Sequence, residues 1–225
     1  MDEAFEHYSD GIYPWMNASA HRDFWGAFNL SDVKGLDFST CAVVGSSSTL
    51  LKHRQGALID SHSVVIRSSS YPLRAMFAQH VGAQTSLTVA TYSRFAKPRP
   101  ATIFYCLVRH RDSCWARSRA DRVPRLSPRL IARTMREYNL SRRPSAGMLS
   151  VALARRLCKN VTTFGFGIDA SFSNCTHYYN VVSGSSRCEP SRIWHFANSQ
   201  STYDAYRANR WHDFAAERRA IATVG

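Results

Sequence analysis

Residues 41–48 read Cys-Ala-Val-Val-Gly-Ser-Ser-Ser, an unbroken apolar run that enters a glycine and then a string of hydroxylic side chains. Apolar residues without polar alternation are what a strand covered on both faces requires, and the Gly-Ser turn marks its end. Val64-Val-Ile-Arg67 reads as a second strand of the same kind. Ser86–Ala90 and Ala101–Val108 are further β-rich apolar runs, the second continuous enough to be covered on both faces. Between Pro124 and Tyr138, Leu126, Leu130, Ile131 and Met135 recur at helical spacing with Arg on the other sides, which predicts an amphipathic helix. Ser145-Ala-Gly147 opens a stretch, 148–158, that is apolar most of the way round and reads as a helix docked against a sheet. Asn160–Gly167 then returns as a strand. Strands alternating with helices predict an α/β domain with a largely parallel sheet. With 225 residues, 44% of them hydrophobic, the size favours one globular unit, 41–225. Residues 1–40 mix Trp, Phe, His and Gly without a period and read as an irregular N-terminal cap.

Lys and Arg number 29 against 16 Asp and Glu, a formal charge of +13, with much of the excess between Arg109 and Arg143. Such a surface favours anionic partners. Nucleic acid is disfavoured, because no zinc-finger spacing, heptad-bearing basic helix or RNP-like aromatic signature accompanies the charge. The plainest reading of the Arg run is a solvated, partly helical face, while a nucleotide-sugar or an acidic membrane surface needs the same field.

Six cysteines (Cys41, Cys106, Cys114, Cys158, Cys175 and Cys188) form an even set without a CxxC pair, which disfavours structural zinc or thioredoxin-like chemistry and admits disulfides. Five N-x-S/T sequons, at Asn17, Asn29, Asn139, Asn160 and Asn174, point the same way, toward a secretory lumen. The acidic start, Met1 to Asp10, is no export signal, and no run approaches the ~20 apolar residues of a membrane span, so any anchor is expected in a segment outside these residues.

Two turns suit a phosphate. Gly45-Ser46-Ser47 follows a strand, and Ser145-Ala146-Gly147 precedes a helix, where unpaired N–H groups and a partial positive charge face an anion. The plainer alternatives are an ordinary Ser-rich turn and a simple N-cap by Ser145. The C-terminal histidines His177, His195 and His212 are the natural acid/base candidates near neutral pH. Glu217 lies five residues beyond His212, too far round a helix for an i,i+4 pair.

Three blocks in order resemble the sialylmotifs of eukaryotic-type sialyltransferases, with plant and algal sialyltransferase-like members among them. The large motif is similar to Cys41–Pro72, with its Cys-x-Val-Val-Gly opening and Ile-Asp-x-His-x-x-Val-x-Arg close. Arg143–Gly167 looks like the small motif in its Pro-Ser-x-Gly entry, its Cys and its aromatic-Gly-Phe end. His177-Tyr-Tyr-Asn180 and His212-Asp-Phe-Ala-Ala-Glu217 resemble the third and very short motifs. The resemblance implies a single Rossmann-like, GT-A-like domain that transfers sialic acid from CMP-sialic acid to a glycan hydroxyl with inversion. It implies no metal and no other cofactor, and the sequence contains no Asp-x-Asp. It further implies a Golgi-lumenal domain of a type II membrane protein, and glycoprotein or glycolipid acceptors.

By the same resemblance His212 is the general base and His177 stabilises the departing phosphate. Gly45, Ser46, Ser47, Ser69, Ser145, Ala146 and Gly147 line the donor, Glu217 and Tyr178 give support, and Cys41 bonds to Cys158. A local Cys175–Cys188 bridge would hold His177, leaving Cys106 with Cys114. Some positions depart from the family's pattern. Ser46 and Ser69 stand where Asn is usual; serine is shorter and lacks two N–H donors, so donor contacts are expected to shift. That opens a related transferase of another CMP-linked acidic sugar such as Kdo, or a non-catalytic binder. Ala146 and Asn180 are milder departures. Val181–Trp211, which includes His195, reads as an inserted mobile or acceptor-facing stretch.

Overall fold

A computed structural model describes residues 35–69, 73–91, 102–105, 126, 128–167, 175, 177–180 and 212–224. Five strands, β1 (Thr40–Val44), β2 (Val64–Ser68), β3 (Leu87–Thr91), β4 (Thr102–Tyr105) and β5 (Asn160–Phe164), form one sheet in the order β4-β3-β2-β1-β5. Every pairing is parallel. Among the described residues five α-helices accompany them: α1 (Gly56–Asp60), α2 (Ala78–Val81), α3 (Pro128–Glu137), α4 (Ala146–Leu157) and α5 (Phe214–Ala222).

The continuous apolar runs become two-faced strands. Cys41 and Val43 on β1, with Val64 and Ile66 on β2, face the core made with α3, α4 and α5. Ala42, Val44 and Val65 point the other way, onto Leu50, Ile59, Phe77 and Val81 from the α1–α2 side. A period of two with both phases apolar is the signature of a strand buried on both faces. Helix α4 carries the same logic further, since every residue from Met148 to Ala154 is buried.

The structure departs from the sequence expectation in several places. The third helix starts at Pro128 rather than Pro124, the first helical position being where a missing N–H costs nothing, while Leu126 is buried in the coil before it. β5 stops at Phe164 rather than running to Gly167, because Gly165 has φ +72° and turns the chain away. The 3-10 turns Ser48–Lys52 and Ala75–Phe77 and the short α1 and α2 escaped the periodicity reading, since one turn is too short to display a 3.6 period. Residues 1–34 of the expected cap lie outside the described residues; Leu36 and Phe38 pack against the core.

Cys41, near the start of β1, is bonded to Cys158 at the end of α4, with Cα atoms 6.1 Å apart and 117 residues between them in sequence. Closing so long a loop contributes about 4–5 kcal/mol on the chain-entropy account. It also pins one end of each element whose other end bears a candidate turn. Strands β2, β3 and β4 lie on one side of β1 and β5 on the other, so the order reverses at β1. In open parallel sheets a crevice forms at the carboxyl ends of the strands at that reversal.

Candidate active site

At the carboxyl end of β1, the Gly45 N–H donates to Phe164 O at 2.8 Å and the Ser47 N–H to Gly165 O at 3.1 Å. A Cβ on residue 45 would sit 2.3 Å from Gly165 O, so only glycine lets the β1 turn close against the end of β5. The His177 segment attaches to this turn. Ser47 and His177 form an antiparallel bridge, and the Tyr178 N–H donates to Ser46 O at 3.0 Å. Ser46 Oγ lies 2.9 Å from His177 Nδ1, while Tyr179 stacks on the imidazole at 5.2 Å with planes 7° apart. Tyr178 is buried and meets Phe77 edge-on at 5.1 Å. The hydroxyl of Ser47 caps the following 3-10 turn by accepting from the Thr49 N–H.

The large-motif charges serve the scaffold. Asp60 accepts from the Ala83 and Gln84 N–H groups. Buried Arg67 directs Nε and Nη2 at Gln84 O and Nε also at Thr85 Oγ1. The two side chains grip one loop from both sides. His62 Nδ1 donates to Leu58 O, a structural role. Ser69 has φ +66° with its N–H on Val89 O at 2.7 Å, a left-handed backbone that asparagine adopts more readily than serine.

The second turn is organised by Glu217. The Ser145 N–H donates to Glu217 Oε1 at 2.7 Å and the Ser145 hydroxyl to Oε2 at 2.6 Å, while Ser145 Oγ accepts from the Met148 N–H. Ser145 is therefore an N-cap whose two donors both point at a buried carboxylate. The N–H groups of Ala146 and Gly147, in the first turn of α4, have no intrahelical acceptor. Burial pushes the Glu217 carboxyl up to about 7, against the lowering effect of the two Ser145 hydrogen bonds.

His212 precedes α5, which Asp213 caps by accepting from the Ala216 N–H while also accepting from the Ser141 hydroxyl. His212 Nδ1 donates to the backbone carbonyl of Arg143 at 2.8 Å. A carbonyl only accepts, so Nδ1 carries the proton and Nε2 presents its lone pair. Burial holds the imidazole below its ordinary value, the Arg143 hydrogen bond acting in the opposite direction. A neutral ring with a fixed tautomer is a competent base.

The two clusters flank one segment. Phe164 and Gly165 accept from the Gly45–Ser47 turn, and Phe166 lies beside Gly147, 2.9 Å from where its Cβ would stand. Cys175, two residues before His177, is disulfide-bonded; Cys188, expected as its partner, lies outside the described residues, as do Cys106 and Cys114. His195, the stretch 181–211 and the sequons at Asn17, Asn29 and Asn174 also lie outside them. Asn139, at φ +48°, and Asn160 are exposed. Among the described residues, no helix is long and apolar enough to cross a membrane.

The profile of glycosyltransferase family 29 (sialyltransferase) matches residues 18–116 and 105–224. The chain belongs to that family. Similar proteins include the rice sialyltransferase-like protein 3 (Oryza sativa subsp. indica), 28% identical, over 64% of this chain and 51% of that protein. The human CMP-N-acetylneuraminate-beta-1,4-galactoside alpha-2,3-sialyltransferase is 27% identical, over 63% of this chain and 48% of its own length. This family member thus spans about half the length of these relatives. The crystal structure of a mammalian sialyltransferase shares the fold, with a TM-score of 0.59 at 21% identity, over 86% of this chain and 81% of that one. In this sialyltransferase-family chain Arg143, whose carbonyl holds His212, escaped the sequence analysis. Its place two positions before Ser145, at the entry of the small motif, was the available signal.

Proposed function

We propose that this chain is a catalytic domain that transfers sialic acid from CMP-sialic acid to a glycan hydroxyl, with inversion and without a metal. The observation that carries the proposal is the His212 tautomer, fixed by the Arg143 carbonyl and kept neutral by burial. His212 Nε2 takes the proton of the acceptor hydroxyl as its oxygen attacks the anomeric carbon. The bond from that carbon to the phosphate oxygen breaks on the opposite face, and CMP leaves with the electron pair. His177, held by Ser46 and Tyr179, is assigned to the leaving phosphate, together with the N–H groups of Ala146 and Gly147. Glu217 and Tyr178 position these groups, and Gly45, Ser46, Ser47 and Ser69 border the donor.

The contact of Ser46 with His177 favours a second reading of the donor. Serine offers one hydroxyl where the family's usual asparagine has an amide, and that hydroxyl already meets the imidazole, so the donor contact is expected to shift, which favours another CMP-linked acidic sugar such as Kdo. Both readings place the protein in a Golgi lumen, as part of a longer type II membrane protein acting on glycoprotein or glycolipid glycans. The test is a screen of CMP-Neu5Ac and CMP-Kdo against a glycan panel with EDTA present, read by mass spectrometry. A product bearing either sugar supports transfer and identifies the donor. Absence of product from both, with CMP still bound, leaves a non-catalytic binder and removes the enzyme reading.

A further inference from the structure

Three other described arginines find partners for their guanidinium groups. Arg67 is satisfied by Gln84 O and Thr85 Oγ1, Arg156 by Glu137 and by Ala152 O, and Arg155 by the Tyr138 hydroxyl. Arg143 differs: its Nε is buried without a hydrogen-bond partner. A polar atom withdrawn from water and left unpaired costs about 1–3 kcal/mol, more when it belongs to a charged group, so a native structure keeps one where something else completes it. Arg143 is also tied to the reacting centre, because its carbonyl holds His212 Nδ1 and its positive charge opposes protonation of that ring. The adjoining Pro144-Ser145 leads directly into the first turn of α4.

We infer that Arg143 is a donor-binding residue, its guanidinium seating an oxyanion of the nucleotide-sugar beside His212. The inference rests on the transferase reading above. An arginine with an unused Nε matches the planar geometry of a carboxylate or phosphate and loses little in ordering. CMP-linked acidic sugars carry both groups, the phosphate on the nucleotide and the carboxylate on the sugar, and either one completes the Nε. Glu217, the nearby acid, does not compete for this charge, since it faces both Ser145 donors.

Calorimetric titration of wild type, Arg143→Ala and Arg143→Lys with cytidine, CMP and CMP-Neu5Ac tests this, with Arg155→Ala as a charge-matched control. Arg143→Ala should bind cytidine as wild type does and an anionic ligand about tenfold or more weakly, with Arg143→Lys between them. If CMP shows the loss, Arg143 seats the phosphate; if only CMP-Neu5Ac shows it, the carboxylate. Unchanged affinity for all three ligands in Arg143→Ala overturns the proposal while leaving the transferase reading intact. An equal loss for cytidine also overturns it, by showing a general disturbance of the pocket. Wild type that binds none of the three contradicts both.

Discussion

The two imidazoles are held in opposite ways. His177 is fixed by backbone: a bridge to Ser47, an N–H from Tyr178 to Ser46 O, then one hydroxyl contact and one stacked ring. His212 is fixed by a polar network, in which its Nδ1 meets a carbonyl and the following helix brings Glu217 onto Ser145. The first arrangement relies on strand-like geometry that tolerates side-chain changes. The second relies on buried polar groups, each of which is costly to leave unmatched. A ring that supports a leaving group needs only a position, whereas a base needs a position, a tautomer and a suppressed charge.

The largest expected break comes from His212→Ala, which should lower the transfer rate by about 10²–10⁴-fold with CMP affinity retained, measured by product formation and titration. The disulfide is next. Cys41→Ala with Cys158→Ala should cost about 4–5 kcal/mol in urea unfolding. It should also weaken CMP binding, because the bond sets β1 against α4, the elements that carry the two turns.

The third prediction separates the halves by pH. Glu217 has a folded value raised from 4.5 to about 7, so between those values the native state binds more protons than the unfolded chain. Stability is therefore lost as pH rises through that window, by about 3 kcal/mol for this group. His212 acts with the opposite sign, its lowered value making stability rise with pH just below 6.5. Subtracting the Glu217→Gln profile from wild type isolates the carboxylate. The difference should slope between pH 4.5 and 7 and be flat above, as read by urea unfolding at each pH. The smallest effect is Ser46→Ala, a loss of about 1 kcal/mol at His177, seen as roughly tenfold or less in kcat/KM with little change in stability. A large stability loss in Ser46→Ala would erase the contrast between the two halves.

Much of the scaffold was readable from composition along the chain. Val43 and Val65 lie in runs that are apolar in both phases, which requires a sheet covered on both sides, and the all-round apolar stretch after Gly147 is buried from Met148 to Ala154. The candidate site was legible as residue types and motif order but not as contacts. Ser46 meets His177 across 131 residues, and Ser145 meets Glu217 across 72. No local period encodes such pairings; they exist only once the sheet has brought its strand ends together. The same holds for the left-handed backbone at Ser69 and for the unpaired Nε of Arg143, which depend on what surrounds a residue rather than on what it is.

The central claim, that two differently held imidazoles serve one CMP-sugar, is tested most directly by a crystal structure of the chain with an inert fluorinated CMP-sialic acid analogue. The account predicts the phosphate within hydrogen-bond reach of His177 and of the first turn of α4, with the anomeric carbon turned toward His212 Nε2. An analogue bound at one cluster with the other imidazole remote from it, or bound elsewhere on the protein, would contradict it.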